Sequence, residues 1–234
     1  MAGKNNITAQ QVAQDISQLW NGLPQEQLDI LKKHLEIIKF KKNDFIYQTS
    51  EAPTKVMCLI QGKVKICKDG INGRSQIIRA IKPIEFFAFR AFFADEPYKT
   101  SAQAIEASTI ASIPAKVLLE LMKVNFDISF FFIKYLSTEI GKSDDRTVSL
   151  TQKHIRGRLA EALLYLKESY GTEGDGQTLS SHMSREELAN LSNMTTSNAI
   201  RTLSSFASDN LIAIDGRKIK ILEEEELKKI SEEG

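Results

Sequence analysis

Thr196, Ser197, Asn198 and Arg201 follow one another on a segment whose other positions, Ala199, Ile200, Leu203 and Phe206, form the apolar side of a helix. Hydroxyl and amide side chains can bond base edges in a major groove, and an arginine can take guanine bidentately. The chemistry offered is recognition of DNA. The elements that must present this face are legible around it. Ser184 and Glu187 form an S-x-x-E capping box, which predicts a helix from about Arg185 with Leu188, Ala189 and Leu191 on one side. Ser192-Asn193 ends it, because Asn tolerates the left-handed backbone of a sharp turn. Met194 plugs the turn, and Thr195 or Thr196 caps the second helix. LIAID-GR-KIKIL then alternates about Asp215-Gly216, a hairpin whose tip carries Arg217 and Lys218 toward phosphate. The pattern is a winged helix-turn-helix. A small helical domain with a merely solvated polar face would require the capping, the turn, the polar helix and the basic wing to coincide by chance.

The chain has 234 residues and a net charge of +1, which argues against a non-specific binder held by bulk positive charge. Binding must come from local placement of charge and from dimerisation. The N-terminal segment MAGKNNITAQQVAQDISQLW has no apolar core, and the run from Phe126 to Leu136 is broken by Asp127 and Lys134, so neither export nor a membrane span is expected and the location is cytoplasmic. Cys58 and Cys67 lie in strand-like runs as buried thiols, with a redox pair the lesser reading. His34, His154 and His182 share no ligand spacing, and no haem or metal site is expected. No nucleophile triad, paired carboxylates or phosphate loop appears, so an enzyme is not expected.

Three regions differ in period. Residues 7–38 are helical, with Leu28, Leu31 and Leu35 on one face. Residues 40–116 carry short β-like runs, FIYQ, VMCLI, KVKICK, QIIRAI, SAQAI and TIASI, separated by turn signals at Gly62, Asp69-Gly70, Asn72-Gly73 and Pro83. Such spacing predicts a barrel or roll. Asp127 to Leu150 reads as one long helix whose stripe, Ile128, Phe132, Tyr135, Leu136 and Ile140 extended by Phe131, calls for a second copy of itself or packs on the roll. His154 to Ser169 is a further amphipathic helix, and GTEGDGQ reads as a flexible link. The acidic run Glu223 to Glu226 starts a last short helix. The fold class is α+β. The expected organisation is a β-roll sensor with flanking helices over 1–125, a dimerisation helix over 126–153 and a winged helix-turn-helix over 154–234.

In this order the chain resembles the CRP/FNR (catabolite-activator) family of bacterial transcription regulators over residues 20–222, most specifically through LIQGKVKI, SAQAI, RGRLAEALLYL and SREELANLSNMTTSNAIRTLSSF. The resemblance implies a cyclic-nucleotide-binding-like roll and a homodimer in which an effector alters how the long helices set two recognition helices on a palindromic site. Contact with RNA polymerase is implied as well. It places Thr196, Ser197 and Arg201 at base-contacting positions, with Asn198 beside them. Ser184 and Arg185 fall where relatives hold phosphate, at a helix start, and Thr195, Arg217 and Lys218 join that set.

The same comparison exposes a departure. Cyclic-nucleotide members carry G-E-F-x-G-E and then R-S-A; here the matching residues are Ile84-Glu85-Phe86-Phe87-Ala88-Phe89 and Thr100-Ser101-Ala102. The ribose acceptor is replaced by Phe89 and the phosphate arginine by Thr100, leaving Ser101 and, one position away, Lys99 as a point charge only. Cyclic AMP in the family's usual pose is not expected. Phe86, Phe87, Phe89, Phe92 and Phe93 either line an apolar effector pocket, with Lys99, Thr100 and Ser101 beside it, or fill a ligand-free roll. The N-terminal cysteine cluster of the iron-sulfur members is missing, and the effector is unknown. The competing function is a nucleotide-sensing regulatory protein that does not bind DNA, which accounts for the roll and leaves the reading head idle.

Overall fold

A computed structural model describes residues 7–70, 73 and 75–234; Asn72 and the first six residues, on which parts of the readings above rest, lie outside them. By contact the described residues divide into two compact units, one running to Ile66 and resuming over Ile81–Ile140, the other made of Cys67–Ala80 and Gly141–Gly234.

The first unit opens with helices α1 (Ala9–Leu19) and α2 (Gln25–His34). The Thr8 hydroxyl accepts from the Gln11 amide and caps α1. Helix stops at His34, and Glu36–Phe40 is already strand β1, paired antiparallel with β8 (Ser108–Pro114). The remaining strands are β2 (Phe45–Tyr47), β3 (Lys55–Gln61), β4 (Val64–Asp69), β5 (Ser75–Ile81), β6 (Glu85–Phe87) and β7 (Ser101–Ala104), with the end of β4 and nearly all of β5 counted in the second unit. They form two four-stranded sheets in the orders β1-β8-β3-β6 and β2-β7-β4-β5. Six of these strands match the runs expected from the sequence. β1 and β6 are additional. Side chains alternate along a strand, so Val56 and Cys58 of β3 and Ala111 and Ile113 of β8 face one side of their sheet. Trp20, Leu31, Leu118, Phe86, Phe89, Ile128 and Phe132 join them in one buried apolar cluster. Helices α3 (Phe89–Phe93) and α4 (Ala115–Val124) and the start of α5 (Phe126–Gln152) complete this side.

In the second unit α5 ends and α6 (Ile155–Tyr170), α7 (Arg185–Leu191), α8 (Thr196–Ser208), strands β9 (Ile212–Asp215) and β10 (Lys218–Ile221) and α9 (Glu224–Glu233) follow. α6 packs on α9, α7 and α8 through a face that includes Leu159, Leu163 and Leu166, all buried. The segment 171–180 is ordered, which corrects the flexible link read from its glycines. Asp175 accepts from the amides of Gln177 and Thr178 and from the Thr178 hydroxyl, and Thr178 forms an isolated antiparallel bridge with Lys220 of β10. Arg146, partly buried on α5, donates to the carbonyls of Ile77 and Ile78 at 2.7 Å each and to that of Leu191, the last residue of α7, at 3.2 Å. Nearby, the Ala80 amide donates to the Tyr165 hydroxyl at 2.8 Å. Desolvation lowers the pKa of Arg146 from its ordinary value.

Candidate nucleic-acid interface

The start of α7 is built as its sequence requires: the Ser184 hydroxyl accepts from the Glu187 amide at 3.1 Å while the Glu187 carboxylate accepts from the Ser184 amide at 2.8 Å. Leu188, Ala189 and Leu191 are buried. Asn193 takes a left-handed φ of 50° and Met194 is buried behind the turn. Thr195 caps α8, its hydroxyl accepting from the Asn198 amide at 3.2 Å. Ala199, Thr202, Leu203 and Phe206 face inward. Ile200, assigned inward from its chemistry, is 46 % exposed, and Thr202 takes the buried place at 4 %. On the helical period, position 202 falls on the same side as 199 and 206, whereas 200 is turned about 100° from 199.

Thr196, Ser197 and Arg201 are exposed, and Asn198 is half-buried beside them. The Arg201 guanidinium donates through Nη2 to Asn198 Oδ1 at 2.6 Å. Asn198, Arg201, Thr202 and Ser205 line an open groove with Ile155 and Arg156 of α6. Arg156 was not foreseen from the sequence. Its guanidinium donates to the Ser205 hydroxyl and to Asp209 Oδ2 and lies 4.9 Å over the Phe206 ring, which fixes a second cation next to the polar face. Only the fold brings α6 against α8.

The phosphate set divides. Arg185 donates to the Gly216 carbonyl at 2.9 Å, tying the start of α7 to the hairpin turn, where Gly216 has a φ of 56° that suits glycine. Arg217 is exposed at the tip. Lys218 pairs with Glu173 at 3.1 Å, and Lys220 with Asp175 at 3.5 Å. Hydrogen bonds from Lys218 first and His182 second hold the Glu173 carboxyl below its ordinary range. Lys218 therefore has an intrachain carboxylate as partner.

In the first unit the residues assigned to an effector pocket do not converge on one space. Phe86 and Phe89 belong to the helix-side cluster: Phe86 stacks on Trp20 at 5.7 Å, and Phe89 meets Phe132 at 5.1 Å and Tyr135 at 5.2 Å. Phe87, the next residue along β6, turns to the opposite face. Lys99 is exposed and paired with Glu96, which also holds Arg90 at 2.8 Å. The Thr100 hydroxyl lies 3.3 Å from that of Tyr47, and Ser101 opens β7. Ile84 and Ala88, the residues standing at the two glycine positions of the family pattern, have φ of 64° and 67°. A left-handed backbone at these two side-chain-bearing residues costs roughly 1–2 kcal/mol each.

The stripe on α5 also divides. Ile128 and Phe132 are 0 and 1 % exposed, inside the chain's own core, and Tyr135 and Leu136 pack against that core. Ile128 and Phe132 therefore have no surface left for a partner, whereas Tyr135 and Leu136 are half-buried. Phe126, Phe130, Ile133 and Ile140 are instead exposed, at 71, 53, 54 and 63 %. Among the described residues no helix is long and apolar enough to cross a membrane, and no group of three or more His, Cys, Asp or Glu residues is placed to hold a metal ion.

Residues 37–125 match the Cyclic nucleotide-binding domain family, and residues 157–230 the Crp-like helix-turn-helix domain family. The chain is 23 % identical over 210 residues to the CRP-like cAMP-activated global transcriptional regulator of Mycobacterium tuberculosis, covering 89 % of this chain and 94 % of that protein. It is 26 % identical over 197 residues to the transcriptional activator protein anr of Pseudomonas aeruginosa, covering 82 % and 80 %. Among solved structures, FixK2 from Bradyrhizobium japonicum superposes with a TM-score of 0.74 at 20 % identity, covering 84 % of this chain and 96 % of that one. A CRP/FNR-family transcriptional regulator from Thermus thermophilus superposes with a TM-score of 0.71 at 24 % identity, covering 84 % and 98 %. With a cyclic nucleotide-binding domain, a long helix and a Crp-like helix-turn-helix in that order, the chain belongs to the CRP/FNR family of transcription regulators.

Proposed function

We propose that the protein is a cytoplasmic homodimer that reads an inverted repeat in double-stranded DNA and works with RNA polymerase at promoters. The outward face of α8 carries the reading: Thr196, Ser197 and Arg201 stand exposed on a helix whose start is fixed by Thr195 and by the capped α7 beside it. Thr196 and Ser197 suit single hydrogen bonds to base edges, and Arg201 suits guanine. Ser184, Arg185, Thr195 and Arg217 serve the phosphates, with Lys218 and Arg156 reduced to supporting parts by their pairing with Glu173 and Asp209. Two copies meet through Phe126, Phe130, Ile133 and Ile140 of α5, which set the two α8 helices about 34 Å apart, one turn of B-DNA.

Cyclic AMP in the relatives' pose is disfavoured by Phe89, which stands at the ribose position inside an aromatic cluster, and by Lys99, which is engaged with Glu96. The effector, if the roll takes one, is of other chemistry.

Binding-site selection with the purified full chain tests the reading. An enriched inverted repeat with half-site centres one helical turn apart is the expected result. Enrichment of single half-sites, or none, overturns it. Calorimetric titration with cyclic AMP should show no stoichiometric binding that raises DNA affinity; such binding would refute the assignment at Phe89.

A further inference from the structure

Building on the proposal that Arg201 reads a base, we infer that Asn198 is its positioning residue and reads no base itself. An asparagine that specifies adenine must use its amide oxygen and nitrogen together, accepting from N6 and donating to N7. Here Oδ1 is engaged, accepting from Arg201 Nη2 at 2.6 Å. The orientation of the amide follows from chemistry: a guanidinium has donors only, so the oxygen must face it. What remains on Asn198 is its NH2 group and the second lone pair of Oδ1, so a bidentate grip on adenine would have to share that oxygen with the guanidinium.

The two residues are unequal partners. Arg201 is exposed and carries a long side chain with much rotamer freedom. Asn198 is short and half-buried, and its backbone is held at the first turn of α8 by the Thr195 hydroxyl. On a helix, residues three apart are neighbours and side chains lean toward the N-terminus, so Arg201 reaches Asn198 without strain. On the other side of Arg201 the groove contains the Arg156 guanidinium, fixed by Ser205, Asp209 and the Phe206 ring. That guanidinium is neutralised by Asp209 and occupies the α6 side of the groove. Asn198 attracts Arg201 and directs its guanidinium along the outward face with its other donors left for guanine.

Site selection and competition titrations on the full-length dimer, with Asn198→Ala, Asn198→Asp, Arg201→Ala and the double variant, test this. Arg201→Ala should relax one half-site position by about 5- to 100-fold, the range of a good bidentate contact. Asn198→Ala should relax that same position by about 3- to 10-fold, the worth of one hydrogen bond, and no other. The double variant should match Arg201→Ala alone. Asn198→Asp keeps an acceptor for Arg201, so it should preserve the guanine preference while weakening all DNA uniformly through its negative charge. Relaxation by Asn198→Ala of a different position would make Asn198 a base reader and overturn the inference. So would an unchanged preference in Asn198→Ala, or loss of the preference in Asn198→Asp. If Arg201→Ala relaxes no position, the reading of Arg201 itself fails, an outcome visible in that variant alone.

Discussion

Phe130→Ala and Phe132→Ala, two residues apart on α5, separate the exposed face proposed to meet a second copy from the face that holds the chain's own core. Full burial of a large apolar side chain is worth roughly 1.5–3 kcal/mol. In the single chain Phe130 is 53 % exposed, Ile133 54 %, Ile140 63 % and Phe126 71 %, so half or more of that gain is still open at each. At about 1 kcal/mol per side chain, the stripe on both subunits supplies roughly 8 kcal/mol. That falls within the roughly 4–15 kcal/mol that association itself costs, so loss of any one pair matters. Phe130→Ala, present in both subunits, should remove about 2 kcal/mol and weaken the dimer about 30-fold. Phe132 is 1 % exposed against the rings of Trp20, Phe86, Phe89 and Phe93. Its replacement should cost about 3–5 kcal/mol of fold stability and leave the association of the surviving native chain nearly unchanged. Sedimentation equilibrium over a wide concentration range and thermal unfolding read the two effects. Unchanged association of Phe130→Ala, or weakened association of Phe132→Ala at normal melting temperature, would refute the reasoning.

Ser184→Ala removes one half of the capping box and should cost about 1 kcal/mol, lowering the melting temperature of the head by about 4 °C, whereas Ser184→Asp should retain most of it. Calorimetry of the full chain measures both. Glu173 is held below its ordinary range by Lys218 and His182, and Asp175 by the amide and hydroxyl of Thr178 and the Gln177 amide. Carboxyls depressed in the folded state contribute fully above their unfolded values, about 4, and lose that contribution as pH falls through the lower folded values. Head stability should therefore be level above about pH 5 and fall in acid, with Asp175→Asn flattening the decline; an unaltered acid limb in that variant would exclude the loop as its origin. Burial, assisted by Glu85, pushes the Cys58 thiol up to about 12. Iodoacetamide at pH 8 should alkylate it only as fast as the chain unfolds, as followed by mass spectrometry.

The reading head was legible because its signals are local. A capping box, an asparagine at the turn and Asp-Gly at the hairpin each act over a few residues, and each stands where the sequence places it. Two readings failed for lack of long-range information. Along the first turns of α5 apolar residues occupy both faces, and periodicity cannot tell which face is covered by Trp20 and Phe86 and which stays open. The segment 171–180 has the composition of a linker; its order comes from Asp175 and from pairing with β10, which lies far along the chain. Ile200 is a different failure. Its place on the helical period, and not its hydrophobicity, decides its exposure. β1 and β6 are five and three residues long, too short to show alternation against their surroundings.

The joint made by Arg146 involves one side chain and three main-chain carbonyls, those of Ile77, Ile78 and Leu191. Every amino acid offers the same carbonyl. The three bonds therefore ask nothing of the side chains at 77, 78 and 191, although Ile77 and Leu191 are held by their own burial, and the bonding of the joint depends on position 146 alone. Covariation between positions has nothing to detect there, because the partners carry no identity. A β5 of different sequence would keep these bonds wherever it kept the backbone path and an apolar residue at 77, whereas a single substitution at Arg146 undoes all three at once.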